Sequence, residues 1–435
     1  MTNNKLKKKI SRSSLLFILL FFVASFRIAW LNVPEDALVF DEIYYVNAAR
    51  KILSLPTTGR PGESPIYAHA LAGTDPNVEH PPVAKLIIAA FIKIFGDHSW
   101  SFRFPSAILG SFAVLFLYLI VKKLGTPKTA LFAAFLYSCE NLTFVHSRIA
   151  MLDIYMVAFM LMGLYFYLDR RIVLSATLVA LSALSKITGL SSLGIILVYS
   201  LFIELSSKGS KIVRLKRLAS LYGKYLATFL LIFLGLLWLI DTFFVLIDNH
   251  HPNPIEHLLW MTNYSFKLRV GGYLWNGSVL DPETMTVDED SIASPPWLWL
   301  INEKKILYYL ASVEKKIDGR VIRSETVAFY GEMNPIIVAS MIPSLAYLFY
   351  SFLKSRDKLS FFLIVWWLFT YIIYYPLAFM NRMVYIYYMC PAMPAVCASA
   401  AYMLHRLKLP EYILLAYSSA TFMAFLHSFP IVFLF

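Results

Sequence analysis

Apolar runs recur along the chain from residue 14 to residue 430, separated by short polar segments. A spanning helix needs about 20 predominantly apolar residues. On that measure the pattern predicts eleven spans, at about 14–32, 101–121, 129–146, 151–168, 172–184, 187–205, 225–247, 333–353, 359–377, 384–404 and 411–430. The expected fold is an all-α polytopic membrane protein. Span five is short, and its boundary with span six falls near Lys186.

Two stretches do not read as spans. Residues 33–100 carry F-D-E-I-Y-Y, Phe40 to Tyr45, opening a helix that runs to about Lys51. They also carry V-A-K-L-I-I-A-A-F-I-K-I-F, Val83 to Phe95, which is too short to cross and is interrupted by Lys85 and Lys93. Both are expected as helices lying at the membrane interface, the second opened by Pro81 and Pro82. Residues 248–332, between spans seven and eight, form a long polar and aromatic loop. Its W-L-W (Trp297–Trp299) and L-Y-Y-L (Leu307–Leu310) suit the headgroup level. No internal repeat or low-complexity tract is visible, so residues 1–435 read as a single membrane domain.

Composition agrees with the pattern. The 435 residues are 59% hydrophobic and only 15% charged, far below the roughly 25% charge of soluble domains. The net charge of +12 changes the picture only through its placement. Basic residues gather between spans: Lys5, Lys7, Lys8, Lys9 and Arg12; Lys122, Lys123 and Lys128; Arg170 and Arg171; Lys208 to Lys224; Lys354 to Lys358; Arg406 and Lys408. Set on the cytoplasmic side, these clusters meet the positive-inside rule. Nucleic-acid binding is therefore not the expected role. The N-terminus is expected inside, with the first span retained rather than cleaved. Both large loops then lie on the extracytoplasmic face. Cys139, Cys390 and Cys397 sit in apolar surroundings and form no disulfide framework or metal-type spacing.

Four clusters on that face hold candidate chemistry. Asp41 and Glu42 are either first-turn caps of a helix or a general base at the membrane surface. Tyr44 and Tyr45 behind them are candidate pocket walls. In E-H-P-P-V-A-K, Glu79 to Lys85, Lys85 is either a snorkelling lysine or the ligand of a lipid phosphate, and His80 lines the pocket. Arg103, in S-F-R-F-P-S, presents the same choice. H-S-R-I-A-M-L-D, His146 to Asp153, is a tight turn in which Arg148 and Asp153 are expected to pair, with Asp153 opening the next span and a candidate residue of the substrate pocket. Glu140 and Asn141 are expected inside span three, where polar groups mark function or interhelical pairing. Arg382, in N-R-M-V-Y-I-Y-Y-M-C-P-A-M-P, is an interfacial anchor or a bidentate phosphate clamp.

In this order and on one face, the clusters resemble the GT-C glycosyltransferases, and among them the protein O-mannosyltransferases that use a dolichyl-phosphate mannose donor, in their short prokaryotic form. F-R-F-P-S-A-I-L-G (Phe102–Gly110), S-A-L-S-K-I-T-G-L (Ser182–Leu190) and A-S-P-P-W-L-W (Ala293–Trp299) extend the resemblance over nearly the whole chain. It departs where Glu140 replaces the usual Asp and where a Trp-Ser-Trp core is absent from the large loop. The resemblance implies that Asp41 takes the proton of a Ser or Thr hydroxyl, with Glu42 orienting. The hydroxyl attacks mannose on a polyprenyl phosphate with inversion, while Lys85, Arg103 and Arg382 hold the leaving phosphate. It implies a polyprenyl-phosphate donor, a protein or peptide acceptor, surrounding membrane lipids, no cofactor and no metal, and it leaves an oligomer open. A glycolipid acceptor on the same fold is one alternative. A transporter or flippase is another, disfavoured by charges at one face and by the lack of a repeat.

Overall fold

The structure is a computed structural model that describes residues 12–60, 62–288, 290–317 and 320–434. The cluster Lys5, Lys7, Lys8 and Lys9 lies outside them. Helices come in the order α1 (Arg12–Ile28), α2 (Glu42–Ile52), α3 (Val83–Phe95), α4 (Ser99–Leu124), α5 (Pro127–Ser138), α6 (Asn141–His146), α7 (Leu152–Leu168), α8 (Ile172–Ser185), α9 (Ser191–Leu205), α10 (Lys211–Phe244) and α11 (Pro254–Lys267). After the short strands β1 (Gly272–Tyr273), β2 (Val279–Leu280) and β3 (Val287–Asp288) come α12 (Pro296–Trp299), β4 (Ile306–Ile317) and β5 (Arg320–Gly331). The chain closes with α13 (Pro335–Ala339), α14 (Met341–Ser355), α15 (Lys358–Trp367), α16 (Tyr374–Phe379), α17 (Met393–Arg406), α18 (Glu411–His427) and β6 (Ile431–Leu434).

The chain is an integral membrane protein, mostly helical. Among the described residues four helical segments are long and apolar enough to cross a bilayer alone: Ser99–Leu124, Ile187–Leu205, Lys211–Phe244 and Lys358–Phe379. Helix α7 is apolar on every side and almost wholly buried, and it packs against α4 and α8. A Cβ at Gly163 would stand 2.7 Å from Val179 Cγ2, so the bare glycine lets α7 and α8 approach.

The all-α expectation is corrected in the large loop. It folds into α11, an antiparallel sheet β1-β2-β3 and a long hairpin β4-β5 that also pairs with β6. Several span boundaries change for local reasons. Span three breaks at Cys139–Glu140, where the Glu140 carboxylate caps α6 by accepting from the Leu142 and Thr143 amides. The break is stitched by Asn334, which donates to the carbonyls of Cys139 and Thr421. Residues 211–224, expected to precede span seven, are helical, because lysine, arginine and leucine favour helix and Ser210 caps its start. Span nine widens into a π-helical turn at Leu368–Ile372. The regular helix of span ten starts only at Met393; residues 384–392 are irregular, with a 3-10 turn at Ile386–Met389.

Candidate active site

Helix α2 opens on a left-handed residue, Phe40, with φ of 52°. Asp41 occupies the N-cap position, but its carboxylate accepts no bond from the helix backbone. Glu42 does the structural work. It accepts from the Val39 amide at 2.8 Å, from the Ala150 amide at 2.8 Å and from Arg103 Nε and Nη2 at 2.9 and 2.8 Å. Fully buried, it fixes the turn that carries Asp41 and ties it to the α6–α7 turn. The Asp41 carboxylate is thereby left facing the site, half-buried, and accepts a hydrogen bond from Tyr45 Oη at 3.3 Å. Burial raises the Asp41 carboxyl to about 6, with Asp153 adding to the rise and Lys186 and the Tyr45 hydroxyl opposing it.

Opposite stands a buried ion pair. Lys186 Nζ donates to both oxygens of Asp153, at 2.8 and 2.9 Å. Asp153 lies in the first turn of α7, and Lys186 sits in extended backbone between α8 and the 3-10 turn that precedes α9. The Lys186 ammonium also lies over the rings of Tyr387 and Tyr388, at 5.1 and 5.5 Å. His146 approaches Asp153 at 3.8 Å and shares a hydrogen bond with Tyr308 Oη at 2.9 Å. Sequence reading placed Lys186 only at a span boundary. The available signal was a lysine between two apolar runs, a position that demands a partner.

Other expected residues land elsewhere. Lys85 is buried and all three of its N–H groups are used: Asp75 at 2.6 Å, the His80 carbonyl at 2.9 Å and the Asn77 carbonyl. Arg103 is likewise saturated, its five N–H groups meeting both Glu42 oxygens and the carbonyls of Leu31, Pro34 and Ala37. Both cations have their donors engaged within the protein and anchor residues 31–80. The expected Arg148–Asp153 pair is not formed; Arg148 donates to the carbonyls of Phe26, Arg27 and Trp30. Arg382 differs from Lys85 and Arg103. It bonds Ser265 and the Leu268 and Met383 carbonyls, and among the described residues no carboxylate pairs with it. Tyr388 feels the charges of Lys186, Arg382, Asp153 and Asp41 together.

The walls are aromatic. Tyr45 is buried, with the His80 ring edge-on at 5.8 Å, whereas Tyr44 is exposed. Burial and the nearby Lys186, Lys85 and Arg382 hold His80 well below its ordinary range, so it stays neutral. Tyr308, expected at the headgroup level, is buried in the site instead. Ligand atoms of His146, Asp153 and Cys390 lie within 4.8 Å of one another. Both Asp153 oxygens already receive Lys186, so this trio is better suited to the ammonium than to a divalent ion.

The fold and these residues can be compared with known proteins. The crystal structure of ArnT from Cupriavidus metallidurans bound to undecaprenyl phosphate superposes with a TM-score of 0.56 at 14% identity, over 91% of this chain and 61% of that one. The S. cerevisiae protein O-mannosyltransferase Pmt1–Pmt2 complex bound to the sugar donor superposes at 0.57 and 13% identity, over 97% and 90%. Residues 79–238 match the model of the dolichyl-phosphate-mannose-protein mannosyltransferase family. The chain shares the fold of these two structures, and its residues 79–238 are similar to that family. A polyprenol-phosphate-mannose–protein mannosyltransferase of Mycobacterium tuberculosis is 30% identical over 122 residues, 28% of this chain and 21% of the relative. The putative mannosyltransferase YkcB of Bacillus subtilis is 33% identical over 86 residues, 20% of this chain and 12% of the relative. The matched segments thus span about a fifth or less of those relatives.

Proposed function

We propose that this protein is an inverting glycosyltransferase that moves mannose from a polyprenyl phosphate to Ser or Thr hydroxyls of proteins at the extracytoplasmic face. One observation carries the reading. Asp41 is a helix-start carboxylate that does not cap its helix and lies within reach of the buried Lys186 charge in a tyrosine-walled site. A carboxylate raised to about 6 is basic enough to take a hydroxyl proton and is ionised at neutral pH. A phosphate leaving group needs positive charge rather than a general acid. Arg382, with no carboxylate to neutralise it, and Lys186, held at the tyrosines, supply that charge. The proton passes from the acceptor oxygen to Asp41 as that oxygen bonds the anomeric carbon and the bond to phosphate breaks on the opposite face. Glu42, locked to Arg103, keeps Asp41 in place and takes no proton.

The test is incubation of purified protein with radiolabelled polyprenyl-phosphate mannose and a Ser/Thr-rich peptide. Label in the peptide, lost in Asp41→Asn with donor binding retained, is expected. Label only in lipid would move the acceptor to a glycolipid. Full turnover in Asp41→Asn would remove Asp41 as base.

A further inference from the structure

The hairpin β4-β5 is antiparallel, with Leu307 opposite Tyr330 and Tyr309 opposite Phe329. Phe329 and Tyr330 are consecutive, so Tyr308 is an extra residue with no partner across the ladder. Such a bulge bends its strand and re-aims one side chain. Leu307 and Leu310 point outward, 49% and 55% exposed, while Tyr308 is 6% exposed. Its ring stacks on Phe40, centroids 4.2 Å apart and planes 17° from parallel. Its hydroxyl reaches His146. Gly331 at the end of β5 makes the room: a Cβ there would stand 2.4 Å from Tyr308 Oη.

Phe40 is the residue before Asp41 and holds a left-handed backbone, which a bulky side chain adopts only when its surroundings compel it. Its surroundings are Tyr308 on one face and the edge of Tyr387 at 5.8 Å. We propose that Tyr308 is a positioning residue: the bulged strand of the large loop clamps Phe40 in its left-handed turn, and so sets the orientation and the dry cover of the Asp41 carboxylate. This rests on the reading of Asp41 as base. The groups facing Asp41 are Lys186 and Asp153 from the α7 and α8 ends, Tyr45 from α2, and Tyr385, Tyr387 and Tyr388 from the 384–392 segment. Tyr308 reaches this group through Phe40, on which its ring stacks.

Three variants separate the parts. Tyr308→Phe keeps the ring and loses the bond to His146. Tyr308→Leu loses the stack. Gly331→Ala displaces the tyrosine by crowding its hydroxyl and leaves residue 308 itself unchanged. In peptide mannosylation assays, Tyr308→Leu and Gly331→Ala are expected to lower kcat by more than about tenfold while donor KM changes less than about threefold. Their acid limb should move to lower pH, toward an ordinary carboxylate, whereas Tyr308→Phe should keep the wild-type limb. A second readout needs no turnover. Asp41→Cys, labelled by a membrane-impermeant methanethiosulfonate and read by mass spectrometry, should react at least about fivefold faster with Tyr308→Leu or Gly331→Ala added. The native cysteines Cys139, Cys390 and Cys397 are buried. Unchanged labelling and an unchanged acid limb in either folded variant would overturn the proposal. Faster labelling in an enzyme whose Asp41→Asn form still transfers sugar would leave the clamp standing and remove the base.

Discussion

At the scale of single residues, what separates a chemical group from a structural one is how many of its bonds are already made. Asp41 and Glu42 are neighbours in sequence, yet Glu42 accepts four bonds and Asp41 is left to the site. Because the folded Asp41 carboxyl titrates near 6 and the unfolded one near 3.8, the folded state binds its proton more tightly. Stability from this group is present below pH 4 and is lost as pH rises through about 6. Two outcomes follow. Transfer should fall about tenfold per pH unit below about 6, measured as kcat/KM against pH. Asp41→Asn should also melt at or above the wild-type temperature at pH 7.5 in detergent, even though it loses about 10²-fold or more in rate. Lys186→Met should do the reverse, strongly lowering the melting temperature, because Asp153 is then left buried and unpaired. None of this was legible in F-D-E-I-Y-Y itself. Capping and base chemistry use the same residue types, and only the hydrogen-bond partners in the fold distinguish them.

Among the elements, the first loop is held by ion pairs that sequence reading had assigned to the substrate. Position and charge sign were readable for Lys85 and Arg103. Their partners were not, since Asp75 and the carbonyls of residues 31–37 approach only after the chain has turned back. Arg103→Met strands the Glu42 carboxylate in the interior and should cost about 3–5 kcal/mol of stability, read by thermal unfolding. The same logic ties the large loop to the first: His257 of α11 bonds Asp241 at the end of α10 at 2.9 Å and the Val78 carbonyl at 2.8 Å. The helices α2 and α3 were readable from caps and periodicity. The hairpin was not, because L-Y-Y-L followed by charged residues carries no clear period of two.

For the whole molecule, apolar run length was a sound guide to class and a weaker guide to boundaries. Helix α10 is 34 residues, about 50 Å, well beyond the roughly 30 Å of a bilayer core. Its basic first turns were read as loop because charge was taken to end a span, whereas helix propensity lets the helix run on past the lipid. Topology is directly testable. Single cysteines at Gly59 and Trp275, both exposed, should be labelled by an impermeant maleimide from the same side of sealed vesicles, and one at Gly209 only from the other. Labelling of 59 and 275 from opposite sides would break the one-face arrangement of the site. The Arg103 anchor has a bearing on how such proteins diverge. Three of its five acceptors are main-chain oxygens, which every amino acid supplies, so the anchor itself asks nothing of the side chains at Leu31, Pro34 and Ala37. Arg103 has no such freedom, since lysine offers only three donors. Comparison of relatives should therefore find the arginine fixed even where these three positions vary, a pattern easily mistaken for a ligand contact.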